Sequence, residues 1–288
     1  MKIVTDCAAD MTAEEMMALG VTQAPLFIQF PEGEISSADI SADEFYTRLK
    51  SMHPALPKTA QPSSGIFAEI YRRLAETDKQ ILSIHISSGL SGTLGAAHGG
   101  AEMVAPDVKV TLWDTLTLSG GERFQVVAAA LAAKAGWALQ AILKRLEEIR
   151  ANTEVVFTLE TVEYLARGGR IGRVQALAGM LLAIKPVIRV DHADGKYSTV
   201  AKIRTLPRGL ATITDHLNGM YDDTSLWVTV LHGHFAEQAE ALTKQLGERL
   251  NVAKAELMRI SPVLGVHTGP GIVGAAVVPM RLIEDLMP

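Results

Sequence analysis

Seven consecutive residues, Ser87-Ser88-Gly89-Leu90-Ser91-Gly92-Thr93, bring together four hydroxyls and two glycines. They follow an apolar run and open a helical one, so free backbone N–H groups and the positive end of a helix dipole face one spot. Hydroxyl and amide donors without a neighbouring cation suit a carboxylate or a phosphate. The same residues would also serve as a turn and a helix cap. One serine suffices for a cap, however, and the surplus favours an anion site around Ser88 and Ser91. The lysine that would make the segment a P-loop is absent. A second hydroxyl cluster, Thr59-Ala60-Gln61-Pro62-Ser63, reads by itself as a turn followed by a cap.

Two further places could carry charge to a ligand. In Gly168-Gly169-Arg170-Ile171-Gly172 glycines flank an arginine, a setting that lets the backbone come close and aims a planar guanidinium at an oxyanion. A helix C-cap with a solvent-facing arginine fits the same residues. His267-Thr268-Gly269-Pro270-Gly271 sets an imidazole in a Gly/Pro-rich turn between two expected strands. Asp6 and Asp114 each end a strand, where aspartates form turns or approach ligands; they rank second. The pair His232-Gly233-His234 has no carboxylate or cysteine beside it, so no metal is expected.

The elements that must hold these residues alternate. Short β-branched runs at Lys2–Thr5, Gln80–Ile86 and Val108–Asp114 are separated by helical patterns capped at Thr12, Ser41 and Ser63 or Ser64. That order calls for a mostly parallel sheet with helices on both faces, its ligands beyond the carboxyl ends of the strands. Ala24–Phe30 reads as one further apolar run. The second half differs: Val187–Val190 and Lys196–Arg204 alternate around HADG as a hairpin, and crossovers follow. We expect there a mixed sheet with helices to one side. The chain is thus α/β with two domains, 1–152 and 153–288. A helix is expected over Val174–Ile184, with Met180 as part of an apolar wall.

Composition narrows the classes of function. Of 288 residues 48% are hydrophobic and 20% charged, enough for a sizeable core. A net charge of -5 with scattered basic residues argues against a nucleic-acid partner. A single cysteine, Cys7, fits a reducing cytoplasm, and the opening MKIVTDCAAD reads as a strand. The apolar stretches are too short for stable membrane insertion.

In order along the chain, TDCAAD at Thr5–Asp10, TAQPS at Thr59–Ser63, SSGLSGT at Ser87–Thr93, WDT at Trp113–Thr115, GGRIG at Gly168–Gly172, KP at Lys185–Pro186 and HTGPG at His267–Gly271 resemble the DegV family of fatty-acid-binding proteins. Cys7 and Ala60 stand where that family usually has serine, and Leu94 where an aromatic is frequent. The resemblance implies two α/β domains, the first carrying the carboxylate-binding loops and the second covering one acyl chain such as palmitate or oleate. It implies that Thr59 and Ser91 bind the carboxylate with Ser88 and Gln61 nearby. A separate fatty acid kinase subunit would phosphorylate that carboxylate, with Arg170 and His267 meeting the phosphoryl group or the partner. No cofactor and no catalysis of its own are implied. Two other readings stay open: a serine hydrolase of acyl esters using Ser91 or Ser88, His267 and Asp114, and a carrier of another anionic small molecule.

Overall fold

The computed structural model describes residues 1–172, 174 and 184–287. The chain opens with β1 (Lys2–Asp6), a 3-10 turn over Cys7–Ala9, α1 (Ala13–Leu19) and β2 (Val21–Ala24). It continues through β3 (Phe27–Phe30), β4 (Gly33–Ser36), α2 (Ala42–Met52), β5 (Lys58–Ala60), α3 (Ser64–Ala75) and β6 (Gln80–His85). Next come α4 (Thr93–Glu102), β7 (Lys109–Asp114), α5 (Gly120–Lys134), α6 (Leu139–Asn152), β8 (Glu154–Leu159) and α7 (Glu163–Arg167). After these stand β9 (Val187–Val190), β10 (Tyr197–Ala201), α8 (Leu206–Tyr221), β11 (Leu226–His232), α9 (Ala236–Arg249), β12 (Val252–Arg259), α10 (Pro262–Thr268) and β13 (Ile272–Pro279).

The α/β class read from the sequence is what the chain adopts. β2-β1-β6-β7 form an all-parallel sheet. Successive side chains point to opposite faces: Val4 and Ile81 pack with Phe67 and Tyr71 of α3, whereas Ile3 and Leu82 join a larger core containing Phe124 of α5. The three expected caps form, with Thr12, Ser41 and Ser63 accepting from the amides of Glu15, Glu44 and Ile66. The six-stranded sheet β10-β9-β8-β13-β11-β12 is mixed, with only β11 and β12 parallel. The HADG segment turns β9 back onto β10 as expected, with Asp191 N–H donating to Lys196 O.

Three expectations need correction. The run Ala24–Phe30 is broken at Pro25 into β2 of the parallel sheet and β3 of a separate antiparallel sheet, β4-β3-β5. The mixed sheet is not covered on one side alone. Leu210, Ile213 and Leu242 of α8 and α9 cover one face, and Phe124 of α5 with Ile142 of α6 reaches the other. The reason lies in α5, which buries Phe124 through Ala130 almost all round and so needs a sheet on each side. Thirdly, His267 sits on a helix and not in a turn between strands: Pro262 at the first helical position presets φ, and PVLGV is buried. Of the helix expected over Val174–Ile184, residues 175–183, Met180 included, lie outside the described residues. Among the described residues no helix is long and apolar enough to cross a membrane.

Candidate functional site

Beyond the carboxyl end of the parallel sheet lies a cavity of about 280 Å³. Its polar lining comes from separate segments: Thr59 on β5, Gln61 just after it, Ser91 before α4, Arg170 after α7 and His267 on α10. Apart from Tyr197, the rest of the lining among the described residues is apolar, including Ala8, Leu26, Ile86, Leu118, Val263 and Leu264. A smaller, mainly apolar chamber of about 20 Å³ adjoins it, sharing Leu118, Tyr197 and Leu264, and is lined also by Val155, Phe157, Leu231, Ile260 and Ile272.

Thr59 Oγ1 and His267 Nε2 are 2.8 Å apart. Burial, followed by the charge of Arg170, lowers the His267 pKa to about 3, so the imidazole is neutral near neutral pH. It then carries one proton. Among the described residues His267 Nδ1 is buried without a hydrogen-bond partner. An unpaired buried N–H is rarer and costlier than an unpaired acceptor, so we assign the proton to Nε2. Nε2–H donates to Thr59, and the threonine's own O–H is left free to donate into the cavity. Gly168 makes this packing possible: a Cβ there would lie 2.4 Å from His267 Nδ1.

Ser91 combines both readings of its loop. Its hydroxyl accepts from Thr93 N–H at 3.3 Å, as a cap does, lies 2.8 Å from Thr93 Oγ1, and also lines the cavity. Gln61 lies against Gly92, where a Cβ would stand 2.3 Å from its side-chain oxygen, so a larger residue there would displace the amide. Arg170 is anchored by Nη1 donating to Gly168 O at 2.8 Å. Outside the cavity runs a groove of about 430 Å³ with Lys58, Arg167 and Arg170 along it; Thr59, Arg170 and His267 line both spaces.

Other residues singled out in the sequence go elsewhere. Ser88 is exposed; its hydroxyl donates to Asp114 Oδ2 at 2.5 Å and its amide to Oδ1 at 3.2 Å. Neither residue is among those lining the cavity. Asp6 is fully buried and accepts from Ala8 N–H, Ile86 N–H and the His85 ring. The hydrolase constellation is not assembled, since His267 meets Thr59, Ser91 meets Thr93 and Asp114 meets Ser88. Sequence reasoning missed Tyr197, Leu118 and Leu264, which line both chambers, and Lys58 in the groove. Apolar residues on unrelated elements leave no local pattern, so only the three-dimensional arrangement brings them together.

The model of the family described as "Uncharacterised protein, DegV family" matches residues 1–280. A DegV domain-containing protein of Deinococcus radiodurans is 35% identical over 278 residues, covering 96% of this chain and 95% of its own. Among solved structures, one described as fatty acid binding of a DegV family protein from Thermus thermophilus superposes with a TM-score of 0.89 at 30% identity, covering 96% of this chain and 99% of that one. A fatty acid (stearic acid)-binding protein from Eubacterium ventriosum has a TM-score of 0.88 at 25% identity, with 96% and 98% covered.

Proposed function

The chain belongs to the DegV family, and from that premise we propose that it binds one long-chain fatty acid and presents its carboxylate to a separate kinase subunit. One observation carries this reading. Polar side chains from separate segments meet at one cavity whose remaining described walls, Tyr197 apart, are apolar. The fatty acid binding of the Thermus thermophilus and Eubacterium ventriosum relatives supports it.

In this reading Thr59 and Ser91 donate hydrogen bonds to the carboxylate, with Gln61 beside them. A buried carboxylate needs several such donors. With His267 neutral, Arg170 is the cation next to the head group. The tail supplies the affinity: about fourteen buried methylenes at about 0.8 kcal/mol each give about 11 kcal/mol gross, reduced by the cost of association. Arg170 and His267, which also border the cationic groove, would meet the phosphoryl group delivered to the head. The protein supplies no catalysis of its own in this scheme.

Native mass spectrometry of the purified protein is the first test, and an added fatty acid mass is expected. A clean unliganded mass that also fails to take up palmitate or oleate would sink the proposal. Thr59→Val and Ser91→Ala should each cost about 1.5 kcal/mol, roughly tenfold in Kd. Arg170→Ala should impair acyl phosphate formation by a fatty acid kinase with ATP far more than it impairs retention. If that variant emerges empty, Arg170 holds the ligand itself.

A further inference from the structure

The wide chamber and the smaller one adjoining it share Leu118, Tyr197 and Leu264. These side chains come from three places: the turn before α5, the first residue of β10, and α10. The two spaces on either side of these residues differ sharply in size, about 280 Å³ against about 20 Å³. Tyr197 is 5% exposed, and its ring packs edge-to-face on Phe157, which walls the smaller chamber. Leu118 is fixed at the head of the tightly held turn into α5, where Gly121 and Glu122 donate back to its carbonyl. The boundary between the two spaces is therefore built from anchored residues.

We propose that Leu118, Tyr197 and Leu264 form a throat that sets the acyl length this protein accepts. The inference rests on the reading that the cavity takes a fatty acid. A chain that ends in front of the throat fits without rearrangement. Each further methylene must pass between the Tyr197 ring and the two leucines into a chamber nearly filled by Val155, Phe157, Leu231 and Ile272. Chain length is then selected by aromatic volume at one position, while the head group stays fixed at Thr59 and Ser91.

The experiment loads the full chain with an equimolar mixture of saturated acids from twelve to twenty carbons and reads the bound population by native mass spectrometry. Tyr197→Leu widens the throat and should move the most abundant bound acid upward by two carbons or more. Leu118→Phe narrows it and should move the population downward. The second variant adds volume rather than removing a buried aromatic, so it tests the idea even if Tyr197→Leu fails to fold. Loaded variants with the length distribution of the parent would overturn the throat while leaving fatty-acid binding intact. A parent protein that takes up none of the acids would overturn the binding reading, and the throat with it.

Discussion

At the scale of single residues, two titratable groups, His267 half-buried and Asp10 buried, pull stability in opposite directions with pH. His267 has its pKa lowered to about 3, and in the unfolded chain it returns to an ordinary value near 6.5. Between those values only the unfolded chain takes up the proton, so this residue makes the fold lose stability as pH falls through that window. Asp10 behaves conversely. Burial raises its pKa from 3.8 to about 6, although Ser119 Oγ and Ser261 N–H donate to it. Here the folded state holds the proton more tightly, and stability falls as pH rises from about 4 to 6. Ring-nitrogen NMR should find His267 neutral at pH 5, where an ordinary histidine is mostly charged. His267→Asn should flatten the acid limb of the stability profile; an unchanged limb would mean the ring is solvated. Gly168→Ala tests the same packing from the other side. Its Cβ would press on His267 Nδ1, and a loss of about 1–3 kcal/mol in urea unfolding is expected.

Among elements, Asp6 illustrates how a residue type can be noticed for the wrong reason. Its carboxylate ties the end of β1 to the following 3-10 turn through Ala8 and to the end of β6 through Ile86 and His85. The chain of hydrogen bonds runs on from His85 to Ser83 and Tyr71. Ala8 and Ile86 are walls of the cavity, so Asp6 shapes the site without lining it. Asp6→Ala would leave these buried donors unpaired and should cost about 3 kcal/mol or more, measurable by urea denaturation. The strand-end position of Asp6 was visible in the sequence; its complete burial was not. The same division runs through the rest of the fold. Helix caps at Thr12, Ser41 and Ser63 obey local rules and were legible, as were the hairpin at HADG and the hydroxyl-rich loop around Ser91. The antiparallel sheet β4-β3-β5 was not, because three- and four-residue strands carry little periodicity and Thr59 pairs with Ile28 thirty-one positions away. Nor was the helix holding His267, where continuous burial erases the polar face that betrays a surface helix.

The molecule as a whole is organised around α5. Side chains of Ile3 and Ile84 from the parallel sheet, Phe124 from α5, and Phe157 and Trp227 from the mixed sheet belong to one continuous core. Arg123 adds a polar tie, reaching Glu15 of α1 and Glu256 of β12 from the same helix. The proposed division near residue 152 falls between α6 and β8, yet the apolar interior runs across it. Calorimetry should therefore record one unfolding transition, raised in temperature when ligand is bound; two separated transitions would show that the halves melt independently. A last consequence follows from Thr59, Arg170 and His267, which line both the chamber and the outer groove. The same three side chains separate the chamber from the groove outside it. If the chamber takes a fatty acid as proposed, rotating any of the three to meet it changes the surface of the groove as well, so the outer relief differs between the filled and the empty protein.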